Sequence, residues 1–389
     1  MRRPDVNTLK KYLGFEVGPI RPPSEAKSLL IRVTRNCQWN RCSFCPVYKD
    51  KDFSVREIEE VLSDIDLLKK HVSTLRETFE SPSHLSRETL WQLMRSIDPE
   101  ELPAFDYALK WFSDGMQSIF LQDSDSLVIG PDKLVKILIH LYEQFPWIER
   151  VTSYSRSSTI LKVGEDGLIK LRNAGLDRIH VGLESGSNTV LRFVMKGATQ
   201  DIHVRAGRMV KSAGFELSEY VMPGLGGKNY SEEHAKETAM ALNQINPDFI
   251  RLRPLAVTSR APLFLDVENG SFTKLNDIEM AGELRTFIES LDGISSMILS
   301  DHILNLFADL EGELSRDKPR LISILDSFLN LDSKSQLLYR LGRRIGLFES
   351  LDDLNDQHKV ARVQQIATNQ NISEDNIDSI IDRLMERFI

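Results

Sequence analysis

Cysteine is nearly absent from this sequence: the 389 residues contain only three, and all of them lie between positions 37 and 45. An odd number of cysteines, confined to one short stretch of a large chain, does not make a disulfide framework and suits a reducing compartment. After Cys45 the only sulfur-bearing side chains are those of methionine. We therefore interpret the three thiols together, as one local site.

Long apolar stretches are missing as well. No run reaches the roughly 18 to 20 apolar residues that a membrane helix needs, and the amino terminus lacks the apolar core of a secretory signal. We therefore predict a cytoplasmic protein without a membrane partner.

Positive charge is in deficit, with 49 Lys and Arg residues against 57 Asp and Glu residues and a formal net charge of -8. Affinity for long nucleic acid comes mainly from Lys and Arg side chains that displace counterions from the phosphate backbone. The acidic balance argues against such a partner and favours a small-molecule or protein substrate. The composition is otherwise that of an ordinary globular protein, with 41% hydrophobic and 27% charged residues.

Strand-like and helix-like patterns alternate along residues 29–255. Helices between consecutive strands imply crossover connections, so the strands should be parallel and should form an α/β sheet, closed into a barrel or open. The functional loops of such sheets follow the carboxyl ends of the strands. The predicted strands are 29–34, 118–122, 150–155, 178–183, 217–222 and 249–255.

The alternation is interrupted twice. Residues 71–117 contain two helical stretches with no strand between them, which indicates an insertion, and after residue 265 helical periodicity replaces the strand signal. We therefore divide the chain into an N-terminal segment (1–28), a core (29–264) and a mainly helical C-terminal region (265–389). In that last region, helices are predicted to begin at Ser300 or Asp301 and at Ser373, which are suitable N-caps.

The cysteine loop presents Cys37, Cys42 and Cys45 at C-x4-C-x2-C spacing directly after the first strand. An iron-sulfur cluster normally takes four thiolates, so three would leave one iron open to another molecule. A structural zinc site prefers four Cys or His ligands, and no His lies in the loop. A redox C-x2-C pair would leave Cys37 unexplained, and ordinary buried cysteines would not be confined to one loop. The pattern favours a redox-active cluster with one open iron.

This loop resembles the cluster loop of the radical S-adenosylmethionine (radical SAM) superfamily. The usual motif there is C-x3-C-x2-C with an aromatic residue before the last cysteine; Phe44 holds that place, and the first gap is one residue longer here. A second segment is similar to the G-x-E-S-G-S…V-L…M-x-K-G signature of the Elp3/MiaB/NifB-like group. It reads Gly182-Leu183-Glu184-Ser185-Gly186-Ser187, Val190-Leu191 and Met195-Lys196-Gly197.

The resemblance covers roughly residues 29–257 and implies a fold, an activity and cofactors. The implied fold is a parallel (βα)6 partial TIM barrel with an α-helical C-terminal extension. The implied activity is cleavage of S-adenosylmethionine by a reduced 4Fe-4S cluster, giving a 5′-deoxyadenosyl radical that abstracts hydrogen from an unidentified substrate. A flavodoxin or ferredoxin is the implied electron donor. The alternative is a non-catalytic cofactor-binding or haem-chaperone-like protein on the same scaffold.

The same resemblance assigns candidate contacts to S-adenosylmethionine. An acidic group after the second strand would receive its amino group, unless that segment is only a surface turn that starts a helix. An arginine after the third strand would pair with its carboxylate, or else form a structural ion pair. The candidates are Phe44 beside the cluster, Asp123 or Asp125 for the amino group, Arg156 for the carboxylate, Glu184 and Ser185 for the nucleoside, and Gly224 in a glycine-rich turn against the adenine.

Substrate-binding candidates lie near the end of the sixth predicted strand and in the C-terminal region. Asp301 and His302 are predicted to start a helix and could close the open end of the sheet as an acid-base pair. A capped helix with a satisfied histidine is the simpler explanation of the same residues. Arg253 could hold an anionic substrate, although a salt bridge would explain it equally well.

Overall fold

The computed structural model of the chain describes residue 12 and residues 14–385. Residues 1–11 and 13 of the predicted N-terminal segment and residues 386–389 of the C-terminal region lie outside the described part. The strands are β1 (Leu29–Arg32), β2 (Thr34–Arg35), β3 (Ser54–Val55), β4 (Ser118–Gln122), β5 (Arg150–Ser155), β6 (Arg178–Glu184), β7 (Glu216–Val221), β8 (Phe249–Leu252), β9 (Met297–Leu299) and β10 (Gly312–Glu313).

The helices are α1 (Ile58–Thr78), α2 (Arg87–Ser96), α3 (Leu102–Ser113), α4 (Pro131–Gln144), α5 (Ser157–Asn173), α6 (Asn188–Phe193), α7 (Gln200–Ser212), α8 (Gly227–Ile245), α9 (Leu263–Glu268), α10 (Asp277–Ser290), α11 (Leu314–Leu329), α12 (Ser333–Arg344), α13 (Gln357–Asn369) and α14 (Ile377–Met385). None of these helices is both long enough and apolar enough to cross a membrane.

One sheet organises the fold, in the strand order β1-β4-β5-β6-β7-β8-β9-β10. Neighbours from β1 to β9 pair in parallel, and only β10 is antiparallel to its neighbour. The six predicted strands are present as β1 and β4–β8, with helices in each crossover, so the predicted parallel α/β fold is confirmed. The outward-facing side chains of these strands are fully buried under the helices; they include Ile31, Leu121, Val151, Ile179, Leu217 and Ile250.

The inner face of the sheet carries a layer of aromatic rings. Phe120 on β4 and His180 on β6 have ring centroids 6.3 Å apart although β5 lies between them. Two strands in a flat sheet at this separation would stand nearly 10 Å apart, so the sheet curls around the layer. Tyr154 and Tyr220 complete it, each with a ring centroid within 5.6 Å of that of His180. The sheet is therefore a partial barrel with a filled bore.

The N-terminal segment closes the bore at the amino-terminal ends of the strands. Glu25 is fully buried there, accepting a hydrogen bond from Arg150 Nη2 at 3.3 Å and contacting His180 Nε2 at 3.3 Å. Burial alone would raise the pKa of Glu25, but the contacts with His180 and Arg150 lower it to about 2. Glu25 and its partners therefore fill the bore at the amino-terminal ends of the strands.

The predicted insertion at residues 71–117 divides into two kinds of structure. Its first residues lie within α1, because the apolar repeat continues through Val72 and Leu75. Helix α3 buries Phe105, Trp111 and Phe112 and belongs to the layer that covers the sheet, whereas α2 buries no residue.

The predicted helix at Ser300 or Asp301 is wrong, since residues 300–311 form turns between β9 and β10. Ser300 donates its hydroxyl to Phe307 O at 2.5 Å, and Asn305 Nδ2 donates to Leu252 O at 2.9 Å. Such side-chain bonds to the backbone compete with a helix. The strands β9 and β10 were not predicted, because runs of three and two residues are too short to show a period.

The C-terminal region is mainly helical from Leu314 onward, and its last helix begins at Ile377 after a turn at Ser373. Its aromatic residues Phe307, Phe328 and Tyr339 pack together, with ring centroids 5.2 to 5.9 Å apart. They belong to the same continuous core as the strands of the sheet. The C-terminal region and the barrel therefore share one hydrophobic core.

We expect Phe328→Ala to destabilise the whole chain by about 3 to 5 kcal/mol, because it opens a cavity in this shared core. Urea denaturation followed by circular dichroism should show one transition at a lower midpoint. The control Trp91→Ala removes a ring that is 65% exposed and should change the free energy of unfolding by less than about 0.5 kcal/mol. A separate early transition in Phe328→Ala would instead indicate that the C-terminal region unfolds on its own.

Candidate functional site

The cysteine loop, residues 36–53, connects β2 to β3, which pair with each other as a two-stranded antiparallel sheet. The antiparallel pairing places both ends of the loop side by side. Asn36 and Asn40 adopt φ values of 65° and 39°, a conformation that asparagine tolerates better than most residues. These turns let the stretch with three thiols fold back on itself beyond the end of β1.

Within the loop, Cys42 is buried, Cys37 and Cys45 are partly exposed, and all three are free thiols. The backbone of Ser43 anchors the loop on two sides: its N–H donates to Val194 O at 3.0 Å, and its carbonyl accepts from Leu263 N at 2.9 Å. The thiols are therefore fixed against the loops that follow β6 and β8.

The surroundings of the thiols are cationic. Burial raises the pKa of Cys42, which Lys196 and Arg156 oppose, and burial also raises the pKa of Cys45, which Arg253 and Lys49 oppose. Nearby positive charge favours thiolates, which are the metal-binding form.

No set of three or more His, Cys, Asp or Glu side chains in the described ranges is spaced to hold a single metal ion. The cysteines of an iron-sulfur cluster bind different irons, so their thiolates need not converge on one point. The donor set, three thiols in a cationic environment, fits such a cluster with one iron lacking a protein ligand.

Asp123 ties both ends of the cysteine loop to β4. Its carboxylate is buried and accepts hydrogen bonds from Arg32 Nη2 at 2.8 Å, from the Asn36 N–H at 3.0 Å and from the Tyr48 hydroxyl. Asn36 precedes Cys37, and Tyr48 follows Cys45. The carboxylate oxygens are thus engaged within the protein, and Asp123 acts on the thiols by positioning their loop.

Asp125 makes a second connection to the same loop. Its buried carboxylate accepts from Gln38 Nε2 at 2.6 Å, from Thr159 Oγ1 at 2.5 Å and from Ser155 Oγ at 3.0 Å. Burial raises the pKa of Asp125 to about 6, despite these hydrogen bonds. Asp123 and Asp125 are both buried, so the turn that they form after β4 is not exposed.

Arg156 lies across the ring of Trp39, with its guanidinium carbon 5.1 Å from the ring centroid. Its Nη2 donates to Lys196 O at 2.9 Å, and Trp39 Nε1 donates to Met195 O at 2.7 Å. Among the described residues Arg156 forms no ion pair, so the alternative of a structural ion pair does not apply. Its charge remains available to an anionic ligand beside Cys42.

Glu184 ends β6 with a φ of 63° and pairs with Lys196, whose Nζ lies 3.0 Å from Glu184 Oε1. Lys196 also lies over the ring of Phe44, 5.9 Å from its centroid. The pair lies against Gly182, where a Cβ would meet Glu184 Oε1 at 2.4 Å and Lys196 Nζ at 3.0 Å. A side chain at position 182 would therefore displace the ends of the Glu184 and Lys196 side chains. Lys196 was not among the predicted site residues, and the only sequence signal for it was its place in Met195-Lys196-Gly197.

Phe44 and Cys42 share a small apolar cluster with Val190, Met222 and Leu225. This cluster is separate from the main core and forms one wall of the site. Phe44 thus lies in this wall next to Cys42 and Cys45.

Ser185 and Gly224 lie behind this wall. The Ser185 hydroxyl is buried and pairs with His234 Nδ1 at 2.8 Å. Gly224 has a φ of 83°, and a Cβ there would meet Met280 Cε at 2.5 Å. Gly224 also borders a cavity of about 470 Å³ between the barrel and the C-terminal region, next to Leu255 and Arg344.

The three predicted substrate residues lie at the carboxyl-terminal end of the barrel, which we call the mouth of the bore. They differ in the partners that they have there. Asp301 forms an ion pair with Arg251, so its partner is not His302. His302 lies in a turn, where its Nδ1 accepts from Leu304 N–H at 3.3 Å. Burial and the nearby charge of Arg253 lower the pKa of His302 to about 4, so its imidazole is neutral at neutral pH.

Comparison with known proteins gives one family and several distant relatives. The model of the Radical SAM superfamily matches residues 31–239, a range that includes all three cysteines and Glu184. The tRNA uridine(34) acetyltransferase of Methanocaldococcus jannaschii is 22% identical over 129 residues, which are 33% of this chain and 24% of the relative. The 4'-phospho-dehydrooxetanocin synthase of Priestia megaterium is 24% identical over 204 residues, 49% of this chain and 22% of the relative.

The chain thus spans about a quarter of the length of these curated relatives. Among solved structures, coproporphyrinogen III oxidase from Escherichia coli aligns at 14% identity with a TM-score of 0.44, covering 68% of this chain and 52% of that one.

We expect Asp123→Asn to lower the iron content after anaerobic reconstitution to about half or less, because the neutral amide loses the charge that Arg32 faces and weakens both loop tethers. Iron and acid-labile sulfide per chain are the measurements. The control Asp132→Asn, at an exposed position on α4, should load like the wild type. Equal iron content in Asp123→Asn would contradict the positioning role.

The raised pKa of Asp125 predicts that the stability of the folded protein depends on pH. Because its pKa is raised in the folded state, the folded protein binds this proton more tightly, and its contribution to stability decreases as the pH rises from about 4 through about 6. Relative to Asp125→Asn, cluster-free wild type should lose up to about 3 kcal/mol between pH 4 and pH 7 in urea titrations. The exposed control Asp166→Asn should follow the wild type. Parallel pH profiles for wild type and Asp125→Asn would show that the carboxyl group is not perturbed.

Proposed function

The chain belongs to the radical SAM superfamily, and from this membership we propose that it is an enzyme that binds a 4Fe-4S cluster through Cys37, Cys42 and Cys45 and cleaves S-adenosylmethionine. The observation that carries the proposal is the set of three thiols in a cationic loop, with no fourth cysteine in the sequence. When bound, the cluster would supply one electron to S-adenosylmethionine, and the 5′-deoxyadenosyl radical would abstract hydrogen from a substrate.

In this proposal Arg156 binds the carboxylate of S-adenosylmethionine. The stacking of Arg156 on Trp39 fixes the plane of the guanidinium, and its bond to Lys196 O uses only Nη2. The other N–H groups can therefore donate to a carboxylate in the two-pronged geometry that arginine favours.

Glu184 is proposed to bind the ribose hydroxyls. Lys196 engages Oε1, which leaves Oε2 as an acceptor for a hydroxyl group. The backbone on either side can approach a nucleoside closely because Gly182 has no side chain. Ser185 supports this segment through its bond to His234, and the turn at Gly224 would lie against the adenine.

Asp123 and Asp125 are proposed to favour the amino group of S-adenosylmethionine through their negative charge and through the loop that they hold. The apolar wall of Phe44, Met222 and Leu225 would exclude water from the reacting centre. A flavodoxin or ferredoxin in a reducing compartment such as the cytoplasm is the proposed electron donor.

The direct test is formation of 5′-deoxyadenosine by the anaerobically reconstituted full chain with dithionite and S-adenosylmethionine. We expect product from the wild type, and neither product nor visible iron-sulfur absorbance from Cys42→Ala, because one ligand is lost. Ser43→Ala is the matched control in the same loop, since the hydroxyl of Ser43 has no hydrogen-bond partner within the described part of the chain. It should keep the absorbance and the product.

Two results would contradict the proposal. Unchanged absorbance in Cys42→Ala would mean that the ligand assignment is wrong. A fully loaded wild type that forms no 5′-deoxyadenosine would favour the non-catalytic, cofactor-binding alternative.

A further inference from the structure

Arg253 is the inward-facing residue that follows Arg251 on the inner face of the sheet, directly above the aromatic layer. Side chains alternate along β8: Arg251 faces inward and donates to Ser218 Oγ at 3.1 Å, and Leu252 faces outward into the core. Arg253 follows, with its N–H donating to Val221 O at 2.9 Å, so the strand pairing continues to this residue. The alternation therefore directs the Arg253 side chain to the mouth of the bore.

Arg253 differs from Arg251 and Lys196, the two paired cations at this mouth. Arg251 is paired with Asp301, and Lys196 is paired with Glu184. The exposed guanidinium of Arg253 has neither an ion pair nor a hydrogen bond among the described residues. Besides Arg156 after β5, the mouth therefore keeps a second uncompensated positive charge after β8 among the described residues, although the chain as a whole is acidic.

Arg253 lies next to both groups that would surround a ligand at the mouth. Its N–H bond to Val221 O places it beside the residue that follows Tyr220 of the aromatic layer. The turn that carries His302 is bonded to the residue before Arg253, because Asn305 Nδ2 donates to Leu252 O at 2.9 Å. Arg253 thus lies at the edge of the aromatic layer and beside the turn after β9, where a substrate of the proposed reaction would lie.

His302 supplies a second hydrogen-bond donor beside Arg253. A neutral imidazole carries one proton, and Nδ1 of His302 already accepts from Leu304 N–H. The proton must then be on Nε2, which makes that atom a donor. A guanidinium and an imidazole N–H form a pair of donors without an acceptor, and such a pair is complementary to an anion.

Building on the proposed function, we propose that this mouth binds the substrate through an anionic group, a carboxylate or a phosphate, with Arg253 as the main contact and Nε2–H of His302 as the second. The Tyr154 and Tyr220 rings form the floor on which the uncharged part of the substrate packs. Asp301 does not repel the anion, because Arg251 neutralises it.

The carboxylate of S-adenosylmethionine is also an anion, so the test must separate it from a substrate anion. Arg156 follows β5 and lies against Trp39, whereas Arg253 follows β8, three strands away in the sheet. The comparison of Arg253→Gln with Arg156→Gln therefore tells which arginine serves which anion.

The probe for the substrate anion is inorganic phosphate, titrated calorimetrically into the cluster-loaded, S-adenosylmethionine-bound full chain at constant ionic strength. We expect Arg253→Gln to weaken phosphate binding by about tenfold or more, His302→Gln by about threefold, and Arg253→Lys less than Arg253→Gln. The control Arg205→Gln removes a 63% exposed arginine of α7 and should not change phosphate binding. Equal phosphate affinity in Arg253→Gln and wild type would overturn the inference.

Affinity for S-adenosylmethionine is measured on the same variants by equilibrium dialysis. We expect it to fall about tenfold in Arg156→Gln and by less than about threefold in Arg253→Gln. A loss in Arg253→Gln as large as that in Arg156→Gln would reassign Arg253 to the cosubstrate and overturn the inference. Both readouts are independent of 5′-deoxyadenosine, so failure of the proposed reaction and failure of the anion site are distinguishable.

Discussion

The buried carboxylate of Asp123 joins the sheet to the cysteine loop, and the geometry of the site depends on this contact. Its oxygens bind the backbone just before Cys37, the side chain just after Cys45, and Arg32 at the end of β1. A buried charge with one partner removed is costly, which keeps these contacts together. Asp125 adds a tether through Gln38, so two neighbouring carboxylates after β4 hold a loop that has little regular structure of its own.

The balance of charge around the thiols follows from the same arrangement. The acidic residues nearest the loop are bound to partners within the protein. Arg156 and Arg253, in contrast, form no ion pair within the described ranges. The site is therefore cationic inside an acidic protein. This difference suits thiolates, the carboxylate of the proposed cosubstrate and the proposed anionic substrate alike.

The filled bore determines where chemistry can take place. The aromatic layer and Glu25 close the barrel below the strand ends, and the cysteine loop lies above them. The proposed ligands would lie in the layer between, where Glu184, Arg253 and His302 are found. The C-terminal region contributes His302 through the turns after β9, which exist only because β9 adds to the edge of the sheet at β8.

Much of this could be predicted from the sequence. Local patterns predict the three thiols, the six parallel strands and the positions of Glu184 and Arg253 at strand ends. This is possible because the periodicity of a strand or helix shows in residues that are close together in the sequence. The roles of Asp123 and Asp125 could not be predicted, since their partners lie far away along the chain. The helix expected at Asp301 failed for a related reason: bonds from Ser300 and Asn305 to distant backbone atoms replaced it.

The sequence by itself thus determined which chemical groups are present and at which edge of the sheet they emerge. Only the tertiary structure decided which of those groups remain free. Asp301 and Arg253 were equivalent candidates in the sequence, yet folding pairs the first with Arg251 and leaves the second without a partner among the described residues. A charge is functional or structural according to the neighbours that packing brings within hydrogen-bond distance, and those neighbours are set by the fold.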